Sequence, residues 1–88
     1  MNTLPIKLRK NGFEYSQVLR NSKKAIYRQT YTEKMDYFEV FLIKSRPDRN
    51  FKGKMILGGE NFPGNEDFGK TAWTFRTLEK AIQKFLAI

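Results

Sequence analysis

The stretch FEYSQVLRNSKKAIYRQTYTEKMDYFEVFLIK, residues 13–44, decides the fold. Within residues 13–20 and 24–31, large or apolar side chains alternate with polar ones, which is typical of half-buried strands. Residues 37–44 are largely apolar on both faces and strongly β-prone, so they are predicted to form a central strand. The links between these runs, Asn21-Ser22 and residues 32–36, are short. An antiparallel meander is therefore predicted.

The segment before this stretch predicts one more strand. Leu4, Ile6 and Leu8 alternate with polar residues or proline, and Asn11-Gly12 is a strong two-residue hairpin signal. Pro5 suits an edge position, where its missing N–H leaves no ladder bond unmade. A short helical turn over the same residues is the alternative.

The segment after this stretch is rich in turn residues. Residues 45–50 are predicted to be a loop, and residues 55–57 a short fourth strand. The turn-rich run GGENFPGNEDFG, residues 58–69, contains Phe62 and Phe68, which we expect to hold it against the core. Its two adjacent carboxylates, Glu66 and Asp67, are expected to be solvated. Residues 70–76 are predicted to form a last strand.

The clearest prediction is a C-terminal helix. Thr77 is a good N-cap, Glu79 lies in the first turn, and one apolar stripe follows helical spacing: Leu78, Ala81, Ile82, Phe85 and Leu86. A helix of roughly ten residues must pack on the sheet to be stable. The sequence thus predicts one α+β domain over residues 1–88, an antiparallel meander of three to five strands packed against one helix. Trp73 and Phe85 are expected to be largely buried.

The composition argues against catalysis. The chain has no cysteine and no histidine, so the usual general base, thiol nucleophile and soft-metal ligands are missing. We therefore expect no enzymatic activity, no cofactor and no metal site. A ribonuclease that cleaves RNA without histidine is a weaker alternative.

The charge points to a polyanionic partner. Lys and Arg number 17 against 9 Asp and Glu, a net charge of +8. Such an excess favours nucleic acid or an acidic protein, although it also serves solubility. Arg20, Lys24 and Arg28 are expected to share the sheet face opposite the helix. The candidate nucleic-acid-binding residues are Lys10, Arg20, Lys24, Arg28, Arg46, Arg49, Lys52 and Lys54.

Two resemblances bear on function. The ending TAWTFRTLEKAIQKFLAI resembles the strand and helix that close AP2-type and integrase arm-binding domains, whose three strands contact DNA, and also the end of the WGR domain. The Trp-Gly-Arg signature itself is absent. The segments GFEYSQVLR, AIYRQ, YFEVF and ENFPGNEDFGKTAWTF resemble small uncharacterised accessory proteins from phages and mobile elements of gut bacteria. That resemblance implies a mobile-element setting and assigns no functional residues.

The leading hypothesis is a small basic accessory protein of a phage or mobile element that binds nucleic acid or a nucleoprotein complex. The alternative is a protein-binding module, either an inhibitor of a host defence enzyme or a minor virion component, anchored by the loop from Phe62 to Phe68. No secretory signal or membrane span is evident, so we expect a cytoplasmic protein, in the host cell if it is phage-encoded. The oligomeric state stays open.

Overall fold

The computed structural model describes residues 3–10, 12–32 and 35–88. Its strands, in chain order, are β1 (Lys7–Lys10), β2 (Phe13–Arg20), β3 (Lys24–Thr32), β4 (Met35–Leu42), β5 (Lys44–Arg46), β6 (Arg49–Phe51), β7 (Lys54–Ile56), β8 (Gly59–Asn61) and β9 (Ala72–Phe75). A 3-10 turn covers Asn65–Asp67, and helix α1 covers Leu78–Ala87.

The main sheet has five antiparallel strands in the order β1-β2-β3-β4-β9. The first four follow one another along the chain as the predicted meander. Lys10 pairs with Phe13 across the predicted hairpin turn, in which Gly12 has a positive φ of 82°. Asn11 of that turn lies outside the described residues, as do residues 33 and 34 of the link between β3 and β4. The predicted fold class is confirmed.

Both faces of the sheet are covered by other parts of the chain. The strands β3 and β4 carry apolar side chains on both faces, and these side chains are buried on each side. Tyr27 and Phe41 are fully buried on one face, and Ile26 and Val40 are fully buried on the other. Adjacent residues of a strand point to opposite faces, so the pairs contribute to two separate cores. Helix α1 covers the face of Ile26 and Val40, which we call the helix face.

The opposite face, which we call the loop face, is covered by the N-terminal segment and by Phe62. The Phe62 ring lies 5.0 Å from that of Tyr27 and 5.8 Å from that of Phe41, between centroids. The Tyr27 hydroxyl donates to the carbonyl of Pro5 (2.6 Å) and accepts from Gln17 Nε2 (2.9 Å). These bonds satisfy a buried hydroxyl and hold the N-terminal segment on the sheet.

Helix α1 begins as predicted, since the Thr77 side chain accepts a hydrogen bond from the Lys80 amide (3.3 Å). Only Ala81 and Phe85 of the apolar stripe are buried, and Leu86 is 74% exposed. The ten-residue helix presents one narrow side to the sheet, so the flanking stripe residues stay in solvent. No helix in the described residues is long and apolar enough to cross a bilayer.

Trp73 and Phe68 lie at the margins of the core. Trp73 is partly buried, because β9 is an edge strand with a neighbour on one side, and the Lys84 ammonium lies 4.2 Å from its ring centroid. Phe68 is 38% exposed and lies outside the core cluster, so Phe62 makes the main contact of this loop with the core, contrary to the expectation of two equal anchors.

Asp67 is buried and ion-paired, contrary to the expectation of a solvated acidic loop. Its Oδ1 lies 2.5 Å from Lys44 Nζ, and its Oδ2 accepts a hydrogen bond from the Gly64 amide (2.8 Å). Both contacts lower the Asp67 pKa, with the lysine as the main cause. Asp67 therefore ties the 3-10 turn to the start of β5.

Candidate nucleic-acid interface

Residues 44–61 form a β-arm between β4 and β9. The ladder between β5 and β8 forms its base, where Lys44 pairs with Asn61 and Arg46 with Gly59. The hairpin of β6 and β7 forms its tip, from Arg49 opposite Ile56 to Phe51 opposite Lys54. We call these residues the arm. Residues 45–50, predicted to be a loop, therefore contain parts of two strands, and the predicted fourth strand belongs to the arm and not to the main sheet.

The arm makes the molecule elongated. All residues from Lys44 to Leu57 are exposed. The radius of gyration is 14.3 Å and the longest dimension is 48 Å, whereas a compact domain of this length is expected to have a radius near 12 Å. A segment exposed on both sides carries no apolar alternation, which is why the sequence pattern revealed β7 in part and none of the other three strands of the arm.

Two backbone features shape the arm. Lys52 and Gly53 form its two-residue turn with φ angles of 51° and 77°, and positive φ at both positions is the signature of a type I′ turn. At the other end, a Cβ at Gly58 would lie 1.9 Å from the carbonyl oxygen of Arg46. The Gly58 amide also donates to Asp48 Oδ1 (2.7 Å). The close approach at Gly58 therefore requires glycine.

Replacing Lys52 by asparagine is expected to stabilise the tip. A lysine at positive φ is strained, and asparagine tolerates this conformation far better. Amide hydrogen exchange in β6 and β7 should slow by about 2–5-fold, the equivalent of roughly 0.5–1 kcal/mol. Gly53→Ala is the matched control. It should speed exchange, because Gly53 has open space around it and only its φ opposes a side chain. Equal effects of the two changes would contradict the assigned turn.

The arm mixes cationic and apolar side chains. Arg49, Phe51, Lys54 and Ile56 share one face of the tip, since paired residues of an antiparallel ladder point to the same side. Phe51 is 57% exposed, and the Lys52 ammonium lies 5.5 Å from its ring centroid. The other cationic residues of the arm, apart from the ion-paired Lys44, are Arg46, Arg49 and Lys54. Their side chains form no ion pair or hydrogen bond within the described residues.

The candidate cations of the sheet are engaged within the protein. Arg20 forms a bidentate ion pair with Glu60 (2.6 and 2.7 Å). Lys24 Nζ donates to the carbonyls of Phe85 and Ile88 at the end of α1, where a cation complements the helix dipole. Arg28 pairs with Asp36, and that contact lowers the Asp36 pKa. Lys10 Nζ lies 5.7 Å from the Phe62 ring centroid.

Arg20, Lys24 and Arg28 do not share the open face that was predicted for them. Lys24 and Arg28 lie on the helix face. They alternate along β3 with Ala25 and Tyr27, which are buried on the loop face. A β-bulge between Gln17 and Leu19 places Arg20 opposite Ala25 and thus on the loop face. A one-residue shift of register reverses the side to which a residue points. The candidate residues of the arm, Arg46, Arg49, Lys52 and Lys54, do lie together. They are exposed and have no acidic partner among the described residues.

The acids beside the arm are neutralised by cations of the base and the sheet. The Arg20 guanidinium lowers the pKa of Glu60 to about 2, aided by a hydrogen bond from the Leu4 amide (3.0 Å). Asp67 is paired with Lys44. Among the described residues, no three acidic side chains converge to form a metal site. From Arg46 to Lys54 the arm carries four cations and one acid, Asp48, so its charge is positive.

Comparison with known proteins does not extend this description. The chain matches no protein-family model, no curated protein and no solved structure at a significant level.

Proposed function

We propose that the protein binds nucleic acid, alone or within a nucleoprotein complex, through the arm. The observation that supports this most is an exposed two-stranded ribbon whose cations Arg46, Arg49, Lys52 and Lys54 have no acidic partner among the described residues. The B-DNA major groove admits a two-stranded ribbon, and proteins that read DNA with strands use this geometry.

Phosphate neutralisation supplies the affinity in this proposal. Arginine and lysine side chains that contact phosphates release condensed counterions, so binding weakens as salt rises. The Phe51 side chain, exposed beside Arg49 and Lys54, adds an aromatic surface on which a base can stack. The narrow tip brings these groups to the nucleic acid while the body of the domain stays outside the groove.

The test is binding of labelled duplex DNA, single-stranded DNA and RNA, followed by fluorescence anisotropy over a range of salt. With about 4–6 phosphate contacts, log K against log[salt] should have a slope near −3 to −5. The double variant R49Q/K54Q should weaken binding about tenfold or more and make the slope shallower by about 2.

The matched control is K23Q/K80Q, which removes the same charge from exposed residues outside the arm. It should leave most of the affinity and the slope intact. Equal losses in both variants would mean that net charge, and not the arm, governs binding. Absence of binding to all three probes at tens of micromolar protein would remove the proposal.

A protein partner is the second candidate, and the exposed apolar residues of the arm favour it. Met55 is 64% exposed and Leu57 60% exposed, and such clustering often marks a protein interface. Phe62 lies in the core and is not available as the anchor that the sequence suggested. An acidic partner held by these residues would remain bound at salt concentrations that release nucleic acid.

The phage or mobile-element setting rests on the sequence resemblance alone, and the absence of catalysis and the cytoplasmic location also stay predictions.

A further inference from the structure

A small cavity lies on the loop face, apart from the arm. Its volume is about 90 Å³, close to three water volumes, and it lies between the sheet and the segment that contains Phe62. The side chains that matter for its chemistry are Leu8, Lys10, Tyr15, Glu39, Phe62 and Phe68. The cavity thus combines one carboxylate, one ammonium and three aromatic rings.

Glu39 is an unusual residue for its position. It lies in the middle of a central strand, opposite Tyr27 on one side and Thr74 on the other, and it is 8% exposed. Among the described residues, no donor forms a hydrogen bond or close ion pair with its carboxylate, yet its oxygens are not among the fully buried atoms that lack a partner, so they face the open side of the cavity. Burial raises its pKa, and the charge of Lys10 partly opposes that effect.

An apolar residue at this position would serve folding better than a carboxylate. Enclosing a charged group in a mostly apolar site costs free energy, and a domain of 88 residues has little stability to offset it. A nearly buried polar side chain without a protein partner is explained by water, an ion or a function. The carboxylate oxygens of Glu39 open into the cavity, so a ligand there can supply the positive charge and the N–H donors that the protein does not.

The walls of the cavity suit a cation. Tyr15 and Phe62 have ring centroids 6.1 Å apart, and aromatic faces attract ammonium groups. The chain itself provides an example, since the Lys10 ammonium lies over the Phe62 ring. Lys10 is an exposed residue without an ion pair to Glu39 in the structure, so its flexible side chain can leave the rim.

We propose that this cavity binds an alkylammonium group, with Glu39 as the counter-charge and Tyr15, Phe62 and Phe68 as the walls. The volume admits a head group with a short alkyl chain. The site is independent of the proposed nucleic-acid binding, because none of the arm's tip residues lines it.

The proposal is tested by titrating the full chain with ethylammonium chloride at constant ionic strength, followed by amide chemical shifts and thermal melts. Shifts confined to β1, β2, β4 and the Phe62 segment are expected, with sodium chloride and neutral ethanol as controls that produce none. Nα-acetyl-lysine amide, a mimic of a protein lysine, distinguishes the source. Binding of both amines indicates a lysine side chain as ligand, and binding of ethylammonium alone indicates a small free amine.

Two variants separate ligand binding from a structural role. E39Q should abolish the ethylammonium shifts and raise the melting temperature by about 4–8 °C, because the buried charge is gone. K10M should bind ethylammonium more tightly, since the competing ammonium is removed. The proposal is overturned if E39Q melts below the parent protein, if E39Q still binds, or if the parent shows no shift beyond the salt control at tens of millimolar amine.

Discussion

Replacing Phe85 by alanine is expected to lower the free energy of unfolding by about 3–5 kcal/mol. Phe85 is 6% exposed and packs against Ile26, Val40 and Ala81 in the core of the helix face. The truncation leaves a cavity between a ten-residue helix and the sheet, and the helix has no other large buried side chain with which to hold its place. The loss is a large fraction of the stability expected for so small a domain.

Urea denaturation of the variant and the parent measures this effect. Leu86→Ala is the matched control on the same helix, because Leu86 is 74% exposed. Its cost should be below about 0.5 kcal/mol. A loss below about 1 kcal/mol for Phe85→Ala would contradict the packing of α1 on the sheet.

Replacing Glu60 by glutamine is expected to cost about 2–3 kcal/mol at neutral pH. Glu60 joins three segments: it accepts two hydrogen bonds from Arg20 in β2 and one from the Leu4 amide, and it lies in β8 at the base of the arm. The side chains of Arg20 and Glu60 are 24% and 12% exposed, so the pair is partly shielded from water. Glutamine leaves the guanidinium without its counter-charge.

The pH dependence gives an independent measurement of the same pair. Because Arg20 lowers the Glu60 pKa to about 2 from an ordinary value of 4.5, the folded state holds this proton less readily than the unfolded chain. The stability that Glu60 contributes is complete above pH 4.5 and is lost as the pH falls toward 2. In denaturant melts between pH 2 and 7, Glu60→Gln should flatten this part of the profile.

Glu66→Gln, at an exposed position, is the control and should change the unfolding free energy by less than about 0.5 kcal/mol. The double variant R20Q/E60Q completes a thermodynamic cycle. If the effects of Arg20→Gln and Glu60→Gln simply add, the two residues do not form the coupled pair described here.

The sequence was sufficient for the meander and the helix because burial leaves a periodic pattern. β2 was predicted at its observed bounds, and α1 began at its predicted cap. The doubly apolar run of β4 correctly indicated a strand covered on both faces. In each case the side chains that face a core are also the ones that mark the element along the chain.

Most of the arm, the bulge and the partners of Glu60 and Asp67 were missed for three different physical reasons. The arm is exposed on both sides, and its turn uses Lys52 where asparagine would have signalled a hairpin. The bulge at Val18 has no local signature, yet it moves Arg20 to the other face. Glu60 and Asp67 find their partners 40 and 23 residues away, and a single sequence does not show such pairings.

The sheet ends on both sides in a strand of only four residues, a length that is expected to limit self-association. β1, on one side, consists of Lys7, Leu8, Arg9 and Lys10, while β9, on the other, gives way to the helix after Phe75. Unpaired strand edges recruit strands of other molecules, and short length and lysine or arginine side chains oppose such recruitment. The basic residues of β1 are therefore expected to have a role that involves no ligand: their charge opposes the edge-to-edge pairing of two copies, whose backbones could otherwise join into a continuous sheet.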